Sequence, residues 1–286
     1  MTYKDLEKMS EKYIYITNEN GFLKNKIGEG REAGVYKISK DLACKIYYKS
    51  SDIIKDWPDD DASIKTVKPK IFKTPNTHQS LCYDEEGVRL SFEDVIYEAK
   101  SRQKNIKHTS LPLNPIYING TFRGCIIKFH NNYYPISHFN VLPKKLKYKI
   151  CYNILEKIKE LLKNNIYQID LYNKQDLIGC HSNIIVNPLL DAQIIDLDGK
   201  STIYTATFDK AHYQTTLLGF SLLMLEFVYD EDLRDCFEEF YTYQDYYIDF
   251  FHERKKIPKE YIENILSENI SVDILEDYLK YNLSKK

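Results

Sequence analysis

Hydrophobic positions in the first half of the chain come in short runs. Apolar residues cluster at 22–29, 34–38 and 42–48, broken by Gly-rich and Lys-Asp turns, and this spacing predicts three strands of an antiparallel meander. Between 50 and 91 the polar stretches KDWPDDDAS and KTPNTHQS predict an irregular insertion with little core of its own. Over 92–106 the apolar positions 92, 95, 96 and 99 change to a helical period. Two further strands are predicted at about 114–118 and 122–129.

Beyond Asn131 the texture becomes helical. Positions 146, 150, 151, 154, 155, 158, 161 and 162 are apolar and lie on one face of an amphipathic helix over 146–162. Residues 184–186 and 193–197 read as two short strands joined through Asn187-Pro188. Residues 215–229 are apolar on nearly every side, which predicts a buried helix, and helical patterning continues to the end. The expected fold class is α+β, with a small antiparallel sheet first and a larger helical part second.

Composition narrows the picture. The 286 residues are 43% hydrophobic and 29% charged, which excludes a disordered chain and suits one large domain or two lobes. Forty basic and forty-two acidic residues leave a formal charge of -2, so no nucleic acid is expected as partner. The apolar run 217–228 is interrupted by Ser221 and Glu226 and is shorter than the ~20 residues of a membrane span. The first twenty residues are charged and lack an apolar core, so no secretion signal or membrane is expected. Six scattered cysteines without a CxxC pair fit reduced thiols in a cytoplasmic protein. Lys far outnumbers Arg, a bias pointing to an AT-rich bacterial or phage genome.

Two clusters carry candidate chemistry. The first is IGEGREAGVYKI, from Ile27 onward, with Gly28, Gly30 and Gly34 between two predicted strands. Glycines at a hairpin tip leave backbone N–H groups open to a phosphate. Downstream, Ala43-Cys44-Lys45 places one Lys among apolar neighbours, where a buried ammonium needs a carboxylate partner. Glu98 on the predicted helix is the candidate, with Glu93 as the alternative. The second cluster is SNIIV followed by QIIDLDG, in which Asn183 and Asp196 flank a strand pair that brings an amide oxygen and a carboxylate together.

These motifs resemble those of the protein kinase-like superfamily, in the same order along the chain. The resemblance implies a bilobal fold: an N-terminal extension over 1–21, an N-lobe over 22–131 and a C-lobe over 132–286. It implies ATP and Mg2+ as cofactors, and a bacterial or phage Ser/Thr kinase-like phosphotransferase with a hydroxyl acceptor on a protein or small molecule. Ile27, Gly28, Gly30, Gly34, Val35, Ala43, Lys45, Ile127, Lys128 and Phe129 would surround the nucleotide. Glu98 would orient Lys45, and Asn183 and Asp196 would hold the metal.

The catalytic Asp is assigned to Asp170, with Asp176 as the alternative. Asp170 precedes Asn183 by 13 residues, whereas in the family motif the separation is about five. Gln168 and Ile169 replace the family's His-Arg, and Asp198 stands where its Asp-Phe-Gly motif has Gly. No Asp near the start of the 215–229 helix matches the family's. The short segment after Gly199 and the DLDG sequence fit a small-molecule kinase of the aminoglycoside or choline kinase type. The displaced catalytic loop fits a pseudokinase serving as a nucleotide-binding or protein-interaction module.

Overall fold

Strand Leu42–Tyr47 (β4 below) alternates perfectly between two cores, and this alternation organises the first half of the chain. The computed structural model describes residues 14–16, 26–29, 33–47, 79–83, 89–106, 110–118, 121–172, 183–198, 202–231, 233 and 240–285. The chain divides into two units, one of residues 1–131 with 197–204, the other of 132–196 with 205–286. Residues 197–204, read from sequence as part of the second lobe, thus belong to the first unit. Both units mix helix and strand, an α+β protein.

Up to residue 131 the strands of the first unit are β1 (Ile14–Ile16), β2 (Lys26–Glu29), β3 (Ala33–Lys37), β4 (Leu42–Tyr47), β5 (Gln79–Tyr83), β6 (Arg89–Ser91), β7 (Asn114–Ile118) and β8 (Thr121–Lys128). Helix α1 (Phe92–Arg102) lies between β6 and β7. Six strands form one sheet in the order β1-β7-β8-β4-β3-β2. All neighbours are antiparallel except β1, which pairs parallel with β7. Residues 14–16 therefore extend the sheet, in a segment expected to be an extension outside it. Three residues among charged neighbours carry no readable period. The expected insertion over 50–91 contains a described hairpin of β5 and β6; residues 50–78 lie outside those described.

One face of β4 carries Leu42, Cys44 and Ile46, which pack with Leu113, Ile116 and Ile126. The other carries Ala43, Lys45 and Tyr47, where Tyr47 packs with Ala33, Ile96 and Cys125. Burying each large apolar side chain contributes about 1.5–3 kcal/mol, so the two clusters fix the register of β4 against any one-residue slip. Gly124 of β8 is required at its position. A Cβ there would stand 1.9 Å from the Lys45 carbonyl oxygen, a clash with backbone that no rotamer relieves.

The second unit is built on helix α2 (Lys144–Leu162), which follows strand β9 (Tyr134–Pro135). Then come strands β10 (Ile166–Gln168), β11 (Ile184–Val186) and β12 (Ala192–Ile194) and helices α3 (Lys210–Tyr229), α4 (Phe240–Lys255), α5 (Lys259–Ile265) and α6 (Val272–Ser284). Ile150, Cys151, Ile154, Leu155, Ile158 and Leu161 bury the apolar stripe of α2. Helix α3 starts five residues before the apolar run expected at 215, because its first turn is polar. Asp209 caps it, accepting from His212 N–H at 3.1 Å. Burial raises the Asp209 carboxyl, but hydrogen bonds from the His212 backbone and ring outweigh this and hold it below its ordinary value. Among the described residues no helix is long and apolar enough to cross a membrane.

Candidate active site

The alternation of β4 puts Lys45 on the same face as Ala43 and Tyr47, and antiparallel pairing sets Val35 and Cys125 beside it on the neighbouring strands. The adjacent row holds Lys37, Ala43 and Ile127. Lys37 carries its ammonium over the Phe129 ring at 4.5 Å, and Phe129 N–H donates to Asp41 at 2.9 Å. Lys128 is exposed, as its place opposite Leu42 at the strand end allows. Val35, Ala43, Lys45 and Ile127 thus share one face of the sheet.

The carboxylate that meets Lys45 is Asp198. Lys45 Nζ donates to Asp198 Oδ1 at 3.0 Å. The Tyr47 hydroxyl donates to Oδ2, and the Cys125 thiol approaches the same oxygen at 3.6 Å. Asp198 is 2% exposed and Lys45 17%, so this is a largely desolvated ion pair whose acid is shared by three donors. Such sharing offsets the cost of burying the charge. Burial pushes the Cys125 thiol well above its ordinary pKa, and the Asp198 charge adds to the rise. The thiol is therefore a neutral donor.

The expected partner, Glu98, is engaged otherwise. Its Oε2 accepts from Arg102 Nη2 at 3.2 Å and from Nε at 3.3 Å, one helical turn on. The Lys45–Glu98 pairing expected from sequence is thus replaced by Lys45–Asp198. The Glu93 side chain lies outside the described residues. DLDG did contain the signal: an acid where the family carries Gly marks a position with a partner to find.

The glycine hairpin is β2 and β3, paired antiparallel from Lys26↔Tyr36 to Glu29↔Gly34 with a shift of register between Lys26 and Gly28. Ile27 is 46% exposed. Gly28 is open, its nearest neighbour to an added Cβ being Val35 at 3.8 Å, whereas Gly34 is crowded by the Tyr36 ring. Gly30 lies outside the described residues.

In the second unit, β11 and β12 pair antiparallel with Ile184 opposite Ile194. Ile195 N–H then donates to the Asn183 carbonyl at 2.8 Å, which sets Asn183 beside the strand end that leads into Asp196. Asn183 Nδ2 donates to the Asp170 carbonyl at 3.2 Å. That bond fixes the amide and assigns its oxygen to face elsewhere. Asp196 is exposed and has φ 63°, a left-handed backbone uncommon outside Gly, Asn and Asp. Asp176 lies outside the described residues.

Asn183 and Asp196 offer hard oxygen ligands of the kind Mg2+ prefers, and the set fits that ion. Among the described residues no three His, Cys, Asp or Glu side chains gather to hold a metal ion. A cation here would therefore draw further oxygens from water or phosphate, as Mg2+ commonly does. No family model matches this chain, and no curated protein matches it significantly.

Proposed function

We propose that the chain is an ATP- and Mg2+-dependent phosphotransferase of the protein kinase-like superfamily, transferring the γ-phosphate to a hydroxyl group, with a Ser/Thr protein kinase-like activity first in line. The observation that carries the reading is the Asn183–Asp170 hydrogen bond, formed beside the strand end that leads into Asp196. It joins two of the residues nominated for one reaction, through the Asp170 backbone carbonyl, despite the long segment between them.

In this reading the Asp170 carboxylate orients the acceptor hydroxyl and takes its proton. Asn183 and Asp196 would hold Mg2+, which when bound neutralises phosphate charge. Lys45, with Val35, Ala43 and Ile127 on the same sheet face, would receive the nucleotide, and Asp198 takes the orienting role expected of Glu98. Catalysis of this kind is mostly positioning and charge stabilisation, so removing one group should cost orders of magnitude.

A second reading, nucleotide binding without turnover, is favoured by the displaced catalytic loop, since Asp170 precedes Asn183 by 13 residues where the kinase motif has a separation of about five. Two measurements on the same sample separate them. A Mg-ATP thermal shift with labelled autophosphorylation or ADP release supports the enzyme. The same shift without product supports the binding module, and no shift counts against both.

A further inference from the structure

Helix α2 opens on Lys144 and Lys145, with no acidic residue in its first turn. A helix N-terminus carries partial positive charge and is stabilised by acids, so lysines there have the disfavoured sign. They line a cavity of about 290 Å³ together with Lys255, Lys256 and Lys285, and among the described residues no Asp or Glu lines it. In a chain where acids slightly outnumber bases, five ammonium groups around one cavity are a segregated charge whose mutual repulsion must be offset.

Two acidic residues just after α3 are engaged, one of them by a lysine of the cavity itself. Asp230 pairs with Lys147 at 2.6 Å, and Lys147 is only 1% exposed; Glu231 pairs with Lys255. Lys144 and Lys285 instead place their ammonium groups over the Tyr229 and Tyr281 rings, at 4.4 and 4.1 Å. Such contacts hold a cation in place without cancelling its charge. Lys145 Nζ donates to the Lys285 carbonyl at 3.3 Å, which links two walls of the cavity. Tyr148, Tyr229 and Tyr278 also line it, and their hydroxyls close a hydrogen-bonded triangle with sides of 2.6, 3.2 and 3.1 Å. The result is a hydrogen-bonded polar floor under cationic walls.

We propose that this cavity binds a small polyanion carrying two or more phosphate groups. Several cations around one cavity match a ligand with several charges on one small body, and Lys is a common point-charge partner of phosphate. A cavity, as opposed to an extended basic stripe, favours a small ligand over a polymer. The site shares no residue with Asp170, Asn183 or Asp196.

The test is calorimetric titration of the full chain with inorganic tripolyphosphate in EDTA. One site is expected, weakened at least tenfold in Lys145→Gln/Lys256→Asn and again in Lys144→Gln/Lys285→Gln. Asn suits position 256, where φ is 59°. The affinity should change less than twofold in Asp196→Asn, and melting curves check that each variant is folded. Parallel titrations with ADP and inositol trisphosphate separate a nucleotide source from a cyclitol phosphate; tighter binding of either, lost in the same variants, supports the site. No heat at millimolar tripolyphosphate, or equal binding by folded cavity variants, would overturn the proposal. So would binding of single-stranded RNA by a chain that ignores tripolyphosphate. None of these outcomes depends on phosphotransfer being detected.

Discussion

Lys45 Nζ lies 3.0 Å from Asp198 Oδ1, joining a central strand to a carboxylate 153 residues further along the chain. The acid is buried and also accepts from Tyr47 and Cys125. Asp198→Asn should therefore destabilise the first unit by about 3 kcal/mol, the usual cost of leaving one member of a buried pair behind. Hydrogen exchange of the β4 and β8 amides measures this locally; a loss under about 1 kcal/mol would mean the pair is held loosely.

Asp196→Asn should behave oppositely. The carboxylate is exposed, and Asn accepts the left-handed backbone found there. Stability is expected to stay within about 0.5 kcal/mol in urea unfolding, while phosphotransfer is lost. Two acids separated by one residue thus differ in what their removal costs, stability for Asp198 and activity alone for Asp196.

The part of this that sequence made legible follows from period. Strands β3, β4, β7, β8 and β11 fall within a residue of expectation because alternation or a short apolar run between turns marks each end. Lys45 stood out as a charge inside such a run, but its partner did not, because no local pattern reports a contact 153 residues away. Glu98 is the carboxylate on the following predicted helix, and Arg102 one turn on is an equally local reason for it to be there. Gly124 gave no signal either, since a glycine in a strand does not announce which carbonyl approaches it.

Gly124→Ala should destabilise the sheet by roughly 3 kcal/mol or more, because the added methyl meets the Lys45 carbonyl. Gly28→Ala, with open space around it, is expected to change stability by under about 0.5 kcal/mol. Thermal melts of the pair check the contrast.

Asn183→Ala removes the bond to the Asp170 carbonyl. The expected loss of stability is about 1 kcal/mol, with a fall in kcat of roughly 100-fold or more. Equal kcat in mutant and wild type would separate this amide from the chemistry.

A pH dependence follows from Glu276. Lys159, at 2.7 Å, and Lys280 pair with its carboxylate and pull its pKa down from 4.5 to about 2. A depressed acid stabilises the fold above its unfolded pKa, and that contribution is lost as pH falls through the folded value. Glu276→Gln should therefore lower the urea midpoint at pH 7. The gap from wild type should shrink between about pH 4.5 and 2.

The most direct measurement is ADP formation from Mg-ATP by the purified chain, alongside Asp196→Asn. The account predicts product from the wild type that stops on chelation of Mg2+ and falls at least 100-fold in the variant, with the fold intact by its melting curve. Equal product from both proteins, or none from the wild type with any acceptor tried, would contradict it.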